Sequence, residues 1–224
     1  AEGTNTLASG LHSHAEGSYT TSSNRYSHAE GDRTIASGIG AHAEGIFTLA
    51  SGDSAHAEGN KATASADFSH AEGLSTIASG EYSHAEGNST QASGLGSHAE
   101  GFFTQATAQG AKSAGSASIA AGHYSFAAGV QTEISAAGSG SFTTGLGTKA
   151  QGTYQTAIGR YNIAHSAQGV LLIVGNGTSN ASRNDALKVT TTTITLDLTI
   201  IPTFDPGVAG QLWRDGTDLK ISLG

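Results

Sequence analysis

One tetrad, His-Ala-Glu-Gly, occurs seven times and sets an imidazole two residues before a carboxylate each time: His14 and Glu16, His28 and Glu30, His42 and Glu44, His56 and Glu58, His70 and Glu72, His84 and Glu86, His98 and Glu100. Side chains at i and i+2 share a face on an extended chain, where neighbours alternate sides. Three kinds of chemistry are open to such a column. The leading reading is a structural interface ladder, in which each imidazole hydrogen-bonds a carboxylate of its own or a neighbouring chain and fixes register, because a buried unpaired carboxylate is costly. The second is axial metal binding at the same His residues. Three imidazoles around a threefold axis suit a transition ion, but rungs about 4.8 Å apart would crowd divalent charges if all were filled, so occupancy would be partial. Catalysis comes last, since seven equivalent copies offer no unique cleft or nucleophile. The expectation is therefore no enzyme, no cofactor, no catalytic residue and no metal. A His beside Glu is expected to have a raised pKa in the folded state, with that stability fading as pH rises through it, while lowered Glu values would fade in the opposite direction.

The tetrads recur every 14 residues without a slip, and half a period later comes Thr-x-Ala-Ser-Gly, as in Thr6 to Gly10, Thr34 to Gly38, Thr48 to Gly52 and Thr76 to Gly80. Helical repeats need about 33 residues for two helices and a turn, so this period leaves room only for short strands. The expected fold is all-β: a parallel β-roll, or β-solenoid, of 14-residue coils in which like residues form ladders along the axis. Ala15 and its equivalents, on the opposite side from His and Glu, should line the interior. The Thr column of Thr6, Thr20, Thr34, Thr48, Thr76, Thr90 and Thr104 reads as an interior ladder rather than an outward ice-binding array. The tetrad glycines, Gly17 onward, are expected to serve the corners, by positive φ or close backbone approach.

Composition agrees with a slender roll. Of 224 residues only 37% are hydrophobic and 6% aromatic, while 32 are Gly, which disfavours a broad core of large apolar groups. Two prolines and no Gly-X-Y period exclude collagen, and no stretch of about 18 apolar residues could span a bilayer. The absence of cysteine removes disulfides and thiolate chemistry. A net charge of −8, spread along the chain, argues against electrostatic binding to nucleic acid or to anionic lipid, and the lack of an apolar span against membrane insertion of this segment. The chain begins inside a tetrad and contains no Met, which is read as a segment of a longer polypeptide. A roll lined by Ala, Thr and Ser buries little apolar area against a backbone entropy of about 1–2 kcal/mol per residue, so self-association in a closed cyclic oligomer is expected.

Beyond Gly101 the period persists with new letters: Lys112-Ser113-Ala114-Gly115, Phe126-Ala127-Ala128-Gly129, then, after a two-residue insertion, Phe142-Thr143-Thr144-Gly145 and Thr156-Ala157-Ile158-Gly159. The expected division is residues 1–169 as roll repeats and 170–224 as a small C-terminal β cap or trimerisation unit. Within the cap, Val170 to Val174 reads as a buried strand, followed by turn chemistry at Asn176-Gly177 and Ser179-Asn180. Further strands are expected at Ala186 to Val189, in the Thr-rich run Thr190 to Ile200 with Ile194, Leu196 and Leu198 alternating, and at Leu219 to Ile221. Asp215-Gly216 would make a hairpin turn and Trp213 would anchor the cap's core. Such a cap would cover the unpaired edge of the last coil.

The 14-mers of the form x-Ala-x-Gly-x-x-Ser/Thr-x-Ala-x-Gly, with Thr156-Ala157-Ile158-Gly159 closest, resemble the head repeats of YadA-type trimeric adhesins over about residues 1–169. That resemblance implies a left-handed parallel roll and a homotrimer about one axis. His and Glu here stand where the family carries two apolar residues. The segments Val174-Gly175-Asn176-Gly177-Thr178, Arg183 to Val189 and Gly210-Gln211-Leu212-Trp213-Arg214-Asp215-Gly216 are similar to terminal parts of phage tail-fibre and other virion proteins. Together these resemblances imply a structural fibre or spike component on the surface of a phage or related particle, extracellular, joined to other fibre or particle subunits. The alternative is a head fragment of a bacterial cell-surface adhesin. A carbohydrate-degrading spike enzyme ranks below both, since it would need paired carboxylates in a groove. Tyr19, Tyr26, Phe47, Phe68, Tyr82, Phe102, Phe103 and Tyr124 flank the tetrads and are candidate contacts for a host glycan or protein receptor, with packing across an interface as the plainer role.

Overall fold

The two beats of each repeat become two extended segments of unequal length. In the computed structural model, which describes residues 1–197, 199, 201–209, 211–215 and 218–223, the tetrad and the residue after it form a five-residue strand such as His56–Asn60. The second beat gives a two-residue strand such as Thr63–Ala64. The longer segments stack into a 15-stranded sheet and the shorter into an 11-stranded one. Register is one full repeat per rung, so that His56 lies beside His70, Ala57 beside Ala71, Glu58 beside Glu72 and Gly59 beside Gly73, all in parallel. No α-helix occurs among the described residues, and the chain is an all-β parallel β-solenoid of about twelve turns. No helix is long and apolar enough to cross a membrane.

The interior is as narrow as its residues suggest. Ala15, Ala29, Ala43, Ala57, Ala71 and their successors are fully buried from the long sheet, facing Ala36, Ala50 and Ala64 from the short one. Thr20, Thr34, Thr48, Thr76, Thr90 and Thr104 point inward and are also buried. The largest fully buried side chains are Ile134, Ile173, Gln155 and Asn162. Alanine burial removes little apolar area per residue, so backbone bonds between coils hold much of the fold. They are regular even between the strands: His56 N–H donates to the Ser69 carbonyl at 2.9 Å and Leu49 N–H to Ala62 at 2.9 Å.

The corners differ from the expected arrangement. Gly45 lies inside its strand, with φ +111°, and a Cβ there would sit 2.1 Å from the Gly59 carbonyl oxygen. That column needs glycine for both reasons named from sequence, but it does not make the bends. The left-handed corner residues come two positions later (Tyr19, Arg33, Phe47) and again seven residues on (Tyr26, Ser54, Phe68), with φ between 55° and 61°.

The parallel stack runs past residue 169. Val170–Asn176 pairs in parallel with Thr156–Arg160, Gly175 beside Gly159 and Val174 beside Ile158. Its 16-residue offset repeats the insertion that set Phe142 beside Phe126. Only then does the chain reverse, Asp185–Thr190 adding antiparallel and Ile194–Leu196 after it. The Thr-rich run is not one strand: a turn, closed by the Thr190 N–H donating to the Thr193 carbonyl at 2.8 Å, separates the end of Asp185–Thr190 from Ile194–Leu196. Leu212–Asp215 and Asp218–Ile221 form a separate two-stranded hairpin. Its turn at Gly216, as well as Gly210 and the Leu198 and Ile200 of the Thr-rich run, lie outside the described residues. Trp213 is half-buried, with the Lys220 ammonium 5.3 Å from its ring centre, rather than a core anchor.

The short sheet ends at Lys149–Ala150, where no further coil supplies a partner strand. Asn162 substitutes for it: its Oδ1 accepts from the Lys149 N–H at 2.7 Å and its Nδ2 donates to the Lys149 carbonyl at 2.9 Å. Gln155 does the same for the Gln151 N–H, at 3.0 Å. Two side-chain amides thus mimic the missing rung and blunt the edge.

Candidate functional site: the His-Glu face of the long sheet

Parallel register and strand alternation bring all seven His and all seven Glu to the outer face of the long sheet. The imidazoles stack directly on one another from His14 to His98, with ring centroids 4.6 to 5.0 Å apart. Those from His28 to His98 are half-buried between their neighbours, while His14, at the start of the stack, is exposed. The hydrogen-bonded pairing expected within a chain is not what joins them. His28 Nε2 lies 3.9 Å from Glu30, His42 4.0 Å from Glu44 and His56 3.9 Å from Glu58, beyond hydrogen-bond range. The approach tightens at the end of the ladder, where His98 Nε2 is 3.5 Å from both Glu86 and Glu100. Nε2 of His28, His42, His56, His70, His84 and His98 is buried without a hydrogen-bond partner in the chain.

The electrostatics reverse the expected direction. His28, His42, His56, His70 and His84 are all held below the ordinary imidazole value, first by burial and then by the neighbouring imidazole. The carboxylates pull the other way and lose, because stacking removes water from each ring and places a like group against it. The sequence reading considered each His with its Glu and omitted the His on the next rung.

The face changes character along the axis. Lys112 continues the His column, its ammonium 3.7 Å from Glu100 and 5.6 Å from the Phe126 ring centre. Phe126, Phe142, Thr156 and Leu172 follow in that column, Ile158 and Val174 in the Glu column. Leu187 and Leu196 extend the row across the antiparallel strands, opposite Val174 and Leu187 respectively. These side chains are half-buried in the single chain, so an acidic and imidazole-lined stretch passes into an apolar one on the same surface.

Seven of the eight singled-out aromatics, Tyr19, Tyr26, Phe47, Phe68, Tyr82, Phe103 and Tyr124, sit in the left-handed corners, while Phe102 ends a strand. All eight are about half exposed or more, and Tyr154 joins them at 75%. Some pack on each other: Phe68 stacks on Tyr82 at 5.1 Å, and the Arg33 guanidinium lies over both Tyr19 and Phe47. A bulky residue at positive φ costs of the order of 1–2 kcal/mol that Gly or Asn would largely avoid.

Sequence reasoning missed a cleft where the parallel stack meets the antiparallel strands, lined by Ile163, His165, Asn184, Asp185, Lys188 and Asp197 among others. There His165 Nε2 and Asp185 Oδ2 are 2.6 Å apart, and Asp185 also accepts from the Ile163 N–H at 2.8 Å. Asp197 is held down to about 2, chiefly by hydrogen bonds from Thr199. The contacts tie the last coil to the reversing strand, and their 20-residue separation left no local pattern to find.

Comparison with known proteins adds no functional assignment: no family model matches the chain and no curated protein is significantly similar to it.

Proposed function

We propose that this chain is a structural segment of a fibre or spike on a phage or related particle, acting as a rigid homotrimeric spacer that presents receptor-contact surfaces. The observation that carries the reading is the unbroken stack of about twelve parallel turns, a rod of roughly 60 Å at the usual strand spacing. A lining of Ala, Thr and Ser makes that rod thin, and the outer face of its long sheet keeps Phe126, Phe142, Ile158, Leu172 and Val174 half-buried. Three copies joined along this face would cover those apolar groups and bring the His-Glu columns toward a common axis. In that arrangement the corner aromatics remain outside, repeated threefold, so weak contacts with a glycan or protein receptor gain by effective concentration.

The test pairs imaging with binding. Electron micrographs should show rods of the stated length, and the chain should bind a bacterial surface or surface glycan that the Phe68→Asn, Tyr82→Asn double variant binds at least about tenfold more weakly. Rods that bind equally well without those rings would remove the corners from the receptor surface. Globular particles would remove the spacer.

A further inference from the structure

We infer that the far end of the His-Glu ladder binds transition-metal ions, zinc fitting best, at two places in each chain: between His70, Glu72 and His84, and between Glu86, His98 and Glu100. Both sites are built from one chain, so the inference does not rest on the proposed trimer.

Three independent features of the face lead there. Within each group the nearest nitrogen and carboxylate oxygen atoms all lie within 4.8 Å of one another. In the second group His98 Nε2 stands 3.5 Å from Glu86 Oε1 and 3.5 Å from Glu100 Oε2. That is too long for a hydrogen bond. It is close to the roughly 3.3–3.4 Å that separates two donors bound at about 2.0–2.1 Å to one tetrahedral ion. The other donor pairs lie within 4.8 Å, and side-chain rotation would bring them onto one ion. Further, Nε2 of His70, His84 and His98 is buried and has no hydrogen-bond partner, a state that native proteins rarely tolerate and that a bound cation would relieve. Finally, seven carboxylates line this face, and among the described residues Lys112 is the one Lys or Arg paired with them, at Glu100.

Donor chemistry selects the ion. Two imidazoles and a carboxylate, or one imidazole and two carboxylates, suit zinc better than magnesium, which prefers an all-oxygen octahedron and keeps its waters. Each group leaves a fourth position for water or for a donor from another copy. The two groups share no residue, and ions roughly a rung apart would be about 5 Å from each other, wider than the 3.5–4 Å of two-metal sites. The earlier rungs differ in having no third donor: at His42 and His56 a carboxylate lies 4.0 and 3.9 Å away, but among the described residues no set of three closes there.

The experiment titrates the full chain, stripped with EDTA, with zinc chloride, and measures bound metal by equilibrium dialysis with magnesium as control. About two zinc ions per chain are expected, with no comparable magnesium uptake and a rise in melting temperature. The His70→Gln, His84→Gln variant and the Glu86→Gln, Glu100→Gln variant should each lose about one ion, while His28→Gln, Glu30→Gln keeps both. Absence of zinc uptake by the unmodified chain would overturn the inference without any appeal to variants. Equal loss in the His28 and Glu30 variant would overturn it too, by showing diffuse binding along the ladder.

Discussion

His56 and His70 stack with ring centroids 4.8 Å apart and planes 8° from parallel, one rung apart on a parallel sheet. Two identical titratable groups held this closely cannot both take a proton cheaply, and the relation repeats along the ladder.

The folded-state pKa of His28, His42, His56, His70 and His84 lies below the unfolded value of 6.5. Below that value the unfolded chain binds more protons than the folded one, so acid favours unfolding. Thermal melts in the presence of EDTA should therefore be level from about pH 8 to 6.5 and fall from there toward pH 5. His42→Gln, which removes one ring from the middle of the stack, should flatten the fall. A melting temperature that rises as pH drops through 6 would contradict the stacked, desolvated ladder.

Glycine is required at Gly45 on two counts, φ +111° and a Cβ position 2.1 Å from the Gly59 carbonyl oxygen. Gly45→Ala should cost about 3 kcal/mol or more, since neither backbone can yield without breaking the ladder. Gly96 has φ +61° with nothing within 4 Å of a Cβ, and Gly96→Ala should cost only about 1 kcal/mol. Chemical denaturation of both variants checks the contrast; similar losses would mean that close approach between coils is not what the first column serves.

The hydroxyl of Thr48 is buried without a partner, whereas that of Thr104 donates to the Glu100 carbonyl at 3.2 Å. Thr48→Val should stabilise the fold by about 1 kcal/mol, because it removes a desolvated donor and keeps the shape. The same change at Thr104 should be neutral or destabilising. A loss of stability in Thr48→Val would show that this hydroxyl is satisfied in some other way.

Asn162→Ala removes the side chain that replaces a missing rung at Lys149, leaving its N–H and carbonyl unpaired. A loss of about 1–3 kcal/mol is expected, together with faster hydrogen exchange at the Lys149 amide. Unchanged exchange there would mean that the sheet end is protected by something other than this amide.

The period alone made the solenoid legible, since a fixed 14-residue spacing assigns every residue to a column and alternation assigns each column to a face. Ala inside, Thr inside and His with Glu outside all followed from that. What escaped depended on neighbours in space. The pKa direction at His56 is set first by burial in the stack and then by His70, against the pull of Glu58, and no reading confined to one repeat contains those neighbours. The corners escaped because Tyr and Phe at positive φ go against the preference for Gly that a sequence reader relies on. Val170–Asn176 was separated from the stack because the spacing lengthened to 16, although Gly175 still followed Gly159 in the glycine column.

In the proposed trimer two further copies complete the outer long-sheet face of a thin roll. Sedimentation equilibrium of the whole chain near pH 7.5 addresses it most directly. The expected result is a single species of three times the 22.4 kDa chain mass. A stable monodisperse monomer at micromolar concentration, with Phe126, Phe142 and Leu172 left facing water, would contradict it.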